Sequence, residues 1–172
     1  MESLNNHSKV KKMTQIAIFA SLSLILSYFD ILISRIAFPF IPTTKIGFAN
    51  IIVVYAIYRL DFKDAFLIAI MKSMMSLFLG NVIGFIISIC ASFLSFFGMY
   101  GGFLLIKKIA SPISISVIGG FLHMVGQLLV VQLIYRLGQV LLFYSSVVIL
   151  VSLITSILIG FISIKLLVYT KK

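Results

Sequence analysis

The chain has 172 residues, 62% of them hydrophobic and 10% charged, far below the quarter of charged residues that a soluble surface needs. Fourteen Lys and Arg against four Asp and Glu give a net charge of +10, but they stand singly or in pairs between apolar runs, with no basic patch interleaved with aromatics, which argues against nucleic-acid binding. The lone cysteine, Cys90, excludes an intrachain disulfide, offers nothing to a metal site, and reads as a small buried residue.

A membrane-spanning helix takes about 20 mostly apolar residues. Lys9, Lys11 and Lys12 precede the first apolar run. They resemble the start of a signal peptide, but the run is too long and no Ala-x-Ala site follows. Residues 1–12 are expected to be a cytoplasmic tail, and Met13 to Ser34 the first span. Further spans are expected near Gly47 to Leu60 (short, and starting within the preceding loop), Phe62 to Leu79, Val82 to Ile106, Ile113 to Tyr135 and Val140 to Val168. The breaks fall at Pro39 and Pro42, Arg59 to Asp64, Gly80-Asn81, Lys107 to Pro112 and Arg136 to Gln139. No linker or shift in composition divides the chain, so residues 1–172 read as one all-α, polytopic membrane domain of about six helices in the lipid bilayer.

Positive charge sets orientation. With the N-terminus inside, the inner side holds Lys9, Lys11, Lys12, Arg59, Lys63, Lys107, Lys108, Lys171 and Lys172, and the outer side only Arg35, Lys45 and Arg136. Both termini are therefore expected in the cytoplasm. Small residues form stripes on three helices: Gly84, Ser88, Ala91, Ser95, Gly98 and Gly102 on the fourth, Ser152, Ser156, Gly160 and Ser163 on the sixth, Ala17 and Ser21 on the first. Such stripes let helix backbones approach in lipid. Most read as internal packing; Ala17 and Ser21 are the candidate docking stripe for a partner membrane protein.

Lys72 lies near the middle of the third helix, where insertion scales put the cost of a charge at about 2.5–3.5 kcal/mol. Its neighbours Ala65, Ala69 and Ser76 make a small, polar face, so it is expected to point into the bundle. Asp30, near the outer end of the first helix, is the one acid outside the N-terminus and the Arg59–Asp64 loop. Lys72 is then either a snorkelling or Asp30-paired cation, or a contact for an anionic ligand. His123 and Gln127 share a face of the fifth helix at i and i+4, either as a helix–helix hydrogen bond or as ligand contacts; one His without Cys or carboxylate neighbours is a poor metal site. Phe38 to Asn50 carries two prolines and a glycine, so a regular helix cannot run through it. It is either an outer loop or a cap on a site, with Lys45 and Asn50 aimed inward. Asp30, Lys45, Asn50, Asn81, Gln127 and Gln132 fall in the outer half, and Lys72 and His123 near the midplane. That asymmetry suggests a pocket open outward, for a molecule with a polar or anionic head and an apolar body.

Enzyme signatures are missing. Asp61 and Asp64 make only an Asp-x-x-Asp beside the membrane, short of a Mg²⁺–diphosphate site. No phosphate-binding glycine loop is present, so the chain cannot power transport with ATP by itself. No cofactor is expected.

The run Lys45-Ile-Gly-Phe-Ala-Asn50, the pair Gly80-Asn81 and the motif His123-x-x-Gly126-Gln127 resemble the Gx transporter family, also labelled heptaprenyl diphosphate synthase component I, in order and spacing over roughly Pro39 to Gly160. Two positions depart from the family: Lys72 replaces its usual Arg, and Met124 its usual Asn. The family is similar to the substrate-binding S components of energy-coupling-factor transporters. The resemblance implies an S-component-like membrane protein that takes up a small molecule from outside and docks on an energy-coupling transmembrane protein with ATPases. The synthase label implies instead a non-catalytic membrane subunit of polyprenyl diphosphate or quinone synthesis. The expected substrate contacts are Lys72, His123, Gln127, Asn50, Lys45 and Asn81.

Overall fold

A computed structural model describes residues 2–37, 45–106 and 109–170, and the side chains among them except those of 2–8, 37, 140 and 142. Pro39 and Pro42, Lys107 and Lys108, and Lys171 and Lys172, used above as breaks and topology charges, lie outside the described residues. Within them all regular structure is helical: α1 (Glu2–Ala37), α2 (Asn50–Arg59), α3 (Phe62–Leu79), α4 (Val82–Leu105), α5 (Pro112–Tyr135) and α6 (Gln139–Tyr169). The chain is a polytopic helical membrane bundle. Four stretches are long and apolar enough to span: Lys9–Ile36, Val82–Leu105, Pro112–Tyr135 and Phe143–Tyr169.

The helix ends follow local chemistry. Ser111 caps α5 through its Oγ on the Ile113 N–H, with Pro112 at the first helical position, where its missing N–H costs nothing. Asn81 caps α4, its Oδ1 accepting from the Gly84 N–H at 2.7 Å. Residues 2–12, expected as a tail, are helical and continuous with α1. One expectation needs correction: α2, at 10 residues, is only about 15 Å long, half the roughly 30 Å hydrocarbon thickness, so it is not a span. It begins deep inside the bundle, and the chain reaches it through a non-helical stretch, Lys45–Ala49.

That short helix is the centre of the fold. Every residue from Asn50 to Ile57 is buried, the mark of a helix surrounded on all sides, and α2 touches all five other helices. Its Ile51, Ile52, Val53, Val54, Ala56 and Ile57 join Ala65, Ile68, Phe96, Met99, Ile115 and Ile159 in one core cluster. Stacked and edge-on rings of Phe62, Phe66, Phe96 and Tyr100 extend it. A second cluster, including Ile46, Ile87, Met124, Val131 and Val148, fills the other half.

The small-residue stripes of α4 and α6 are internal packing. A Cβ on Gly126 would sit 2.9 Å from Ala91 Cα, and one on Gly160 2.5 Å from Ile113 Cα, so the backbones touch. Buried hydroxyls are satisfied by facing carbonyls: Ser95 Oγ donates to Gly119 O at 2.8 Å, Ser116 Oγ to Ser156 O at 2.7 Å and Ser152 Oγ to Gly120 O at 3.1 Å. The stripe on α1 differs: Ala17 and Ser21 are exposed, while Ala20, Ser23, Ser27, Asp30 and Ser34 face inward. Cys90, expected to be buried, is exposed on α4.

At one end of the bundle Lys12 bridges Asp61 at 2.5 Å and Asp64 at 2.9 Å, and Arg59 donates to Leu167 O. At the other, Arg35 donates to Leu79 O.

Candidate functional site

Non-helical backbone inside a membrane protein must satisfy its polar groups on protein or trapped water. The stretch Lys45–Gly47 does so with three consecutive N–H groups, each donating to a side chain on a neighbouring helix. Lys45 N–H donates to Gln127 Oε1 at 3.2 Å, and Ile46 N–H to Ser34 Oγ at 3.0 Å. Gly47 N–H donates to both carboxylate oxygens of Asp30, each at 2.9 Å. Gly47 holds φ at +101°, a region a side chain rarely adopts. The turn then enters α2 at Asn50.

These bonds draw the sequence's candidates together at the level where α2 begins. Lys72 Nζ donates to Asn50 Oδ1. Lys45 Nζ donates to Ser76 Oγ and, at 2.9 Å, to Ser88 Oγ. Ser27 Oγ donates to the Lys72 carbonyl at 3.0 Å. Asp30, Lys45 and Lys72 are 2%, 6% and 4% exposed. None of the three forms an ion pair within 4 Å among the described residues, yet all line one cavity with Ser27, Gly47, Ala49, Ser88 and His123. Lys72 is thus neither snorkelling nor in contact with Asp30; its partner is Asn50.

His123 and Gln127 complete the wall. Gln127 Oε1 is taken by the Lys45 N–H, so its amide nitrogen faces His123 Nε2 at 3.2 Å as donor. This chain of bonds assigns the ring proton to Nδ1. His123 Nδ1 is buried, with the Ala91 backbone beside the ring. The cavity is lined by two ammonium groups and the imidazole, against one carboxylate already bound to Gly47. Its formal charge is one positive in excess. The space between the side chains is about 10 Å³, room for a single water.

Five of the six expected contacts, Lys45, Asn50, Lys72, His123 and Gln127, meet here. Asn81 does not: it is exposed and occupied as the cap of α4. The sequence does not single out Ser27, Ser34, Ser76 and Ser88 as site residues, and it offers Asp30 as a possible partner for Lys72 and one of the outer-half polar groups rather than as the anchor of Gly47. The signal was the stripe Ser27, Asp30, Ser34 on one face of α1.

The chain matches the family described as heptaprenyl diphosphate synthase component I over residues 19–166. That range contains every residue of the cavity. No curated protein and no solved structure shows a match.

Proposed function

The chain belongs to the heptaprenyl diphosphate synthase component I family, and from that premise we propose that it is a membrane-embedded binding component, S-component-like, which takes up a small anionic or amphipathic molecule from the outer side. The observation that carries this reading is the donor-rich cavity of Lys45, Lys72 and His123 with its one excess positive charge. A bare buried cation costs several kcal/mol, and an anionic group on the ligand offsets that cost. Lys72 and His123 Nδ1 are the groups that meet the anion; Asn50 and Gln127 orient them. Lys45 and its non-helical stretch close the site, and a ligand larger than water enters by displacing them. The apolar clusters on both sides accept the rest of the molecule.

With both termini in the cytoplasm, as the positive-inside count argues, the Lys45 stretch lies toward the outside and the α2 core seals the cytoplasmic side. The chain has no nucleotide-binding loop, so uptake against a gradient draws on a partner: an energy-coupling transmembrane protein with ATPases, docked on the exposed Ala17 and Ser21 of α1.

The family's name favours a second reading, a non-catalytic membrane subunit of polyprenyl diphosphate or quinone synthesis. The four acids of the chain do not make a diphosphate–metal centre: Asp30 holds Gly47, and Asp61 and Asp64 hold Lys12. Catalysis would then reside in the partner. Mass spectrometry of small molecules co-purifying with the chain tests the proposal. An anionic molecule retained by the wild type and lost from Lys72→Met supports it; no molecule retained, or equal retention in both, contradicts it. Co-purification with a prenyl synthase rather than with ATPases selects the second reading.

A further inference from the structure

A second cavity lies apart from the polar site, where α5 ends and α6 begins. It has a volume of about 550 Å³, within the range typical of ligand sites, and it opens to the outside of the bundle between the two helices. Its walls are Val125, Leu128, Leu129, Leu141 and Ile149, and its polar wall includes Gln132. Gln132 Oε1 is buried there with no hydrogen-bond partner among the described residues, and a buried acceptor left unpaired is unfavourable unless a ligand donates to it. Arg136 stands one helical turn further on, exposed, with its backbone in the left-handed region at φ +50°. Tyr135, 39% exposed beside it, is a residue type enriched at membrane–water interfaces.

These features point to one occupant. The cleft is open and lined mostly by apolar side chains, so it suits an alkyl chain. An unpaired acceptor asks for a head that donates a hydrogen bond, and a cation one turn away asks for a negative charge. We propose that the α5–α6 cleft is a binding site for an anionic, hydroxyl-bearing phospholipid, with its acyl chain against Leu128 and Leu141, a head-group hydroxyl on Gln132 Oε1 and its phosphate at Arg136. The site is independent of the Lys72 cavity. It gives the bundle a lipid-filled seam where α5 and α6 would otherwise enclose an empty apolar space.

The test uses the full-length chain in vesicles of equal phosphatidylglycerol and phosphatidylcholine, followed by native mass spectrometry of the lipid that stays bound. The cholines lack both a hydroxyl donor and a net charge. Phosphatidylglycerol should be retained in preference by about five- to tenfold, the worth of one or two hydrogen bonds. Gln132→Leu and Arg136→Gln should each cut that preference about fivefold. Leu129→Trp, at an exposed position on the rim, should fill the cleft and abolish retention of either lipid while circular dichroism shows the helices intact. Lys72→Met should leave lipid retention unchanged, which separates this site from the one proposed above. Equal retention of the two lipids by the wild type overturns the proposal, as does a preference that survives both Gln132→Leu and Leu129→Trp. Cross-linking of two chains through a cysteine at 129 would show that a second copy covers the cleft, and would overturn it too.

Discussion

Removing the Asp30 carboxylate tests how the Lys45–Gly47 stretch is held. In Asp30→Ala the Gly47 N–H loses both oxygens at 2.9 Å, and an unsatisfied buried donor costs about 1–3 kcal/mol. The same change removes the one carboxylate that lines a cavity with two buried ammonium groups, neither of them within ion-pair distance of it, so the lost attraction is smaller than the cost of breaking a buried pair. The two losses share one site and do not add fully, so the expected destabilisation is about 2–4 kcal/mol. At about 2–4 °C per kcal/mol for a chain of this size, the unfolding midpoint should fall by about 4–16 °C. Asp30→Asn keeps an acceptor for Gly47 and loses only the charge, so it should fall between wild type and Asp30→Ala. Thermal melts followed by far-ultraviolet circular dichroism in detergent read all three. If Asp30→Ala melts with the wild type, the carboxylate does not anchor the stretch and the reasoning fails.

Gly47→Ala forces a side chain into φ +101° and sets its Cβ 3.1 Å from Asn50 Nδ2; it should destabilise by about 1–3 kcal/mol, read as a lowered thermal midpoint, while Ala49→Gly should leave the turn intact. Ala17→Leu adds a side chain at an exposed position, so the melting temperature should stay within the wild-type range, and pull-down of a membrane partner should weaken; an unchanged pull-down removes the docking role. Lys12 holds the exposed Asp61 carboxyl below its ordinary range, chiefly through their hydrogen bond. A depressed carboxyl stabilises the fold above its unfolded value near 4 and loses that contribution as pH falls through its folded value. The small difference in midpoint between wild type and Asp61→Asn should therefore be present at neutral pH and vanish in acid, and a difference that grows in acid would contradict the pairing.

The long helices were legible because apolar run length and punctuation define them. Phe62 to Leu79 coincides with α3, and α4, α5 and α6 differ from expectation by a residue at some ends. The role of α2 was not legible. A ten-residue apolar helix looks like a poor span, and only its contacts with all the others reveal it as the buried centre. Lys72 announced itself by its depth in an apolar run, and His123 and Gln127 by their shared face. What joins them was hidden, because the bonds from Lys45, Ile46 and Gly47 to Gln127, Ser34 and Asp30 cross between distant segments. Their hydroxyls and amides look, in sequence, like ordinary small or polar helix positions. Asn81 misled for the opposite reason: a cap and a ligand contact are written with the same residue, and here its Oδ1 is used on Gly84. Cys90 shows that a small residue in an apolar run can face lipid as well as core.

The central claim, that the Lys45–Lys72–His123 cavity binds an anionic group, is tested most directly by the affinity of the co-purifying molecule for three forms of the chain. Lys72→Arg keeps a cation at the position and should retain a good part of the binding. Lys72→Met keeps the length and removes the charge, and should abolish binding while the helices and the melting behaviour show a folded protein. Wild-type affinity in Lys72→Met would leave Lys72 a structural cation held by Asn50, and the binding site would lie elsewhere.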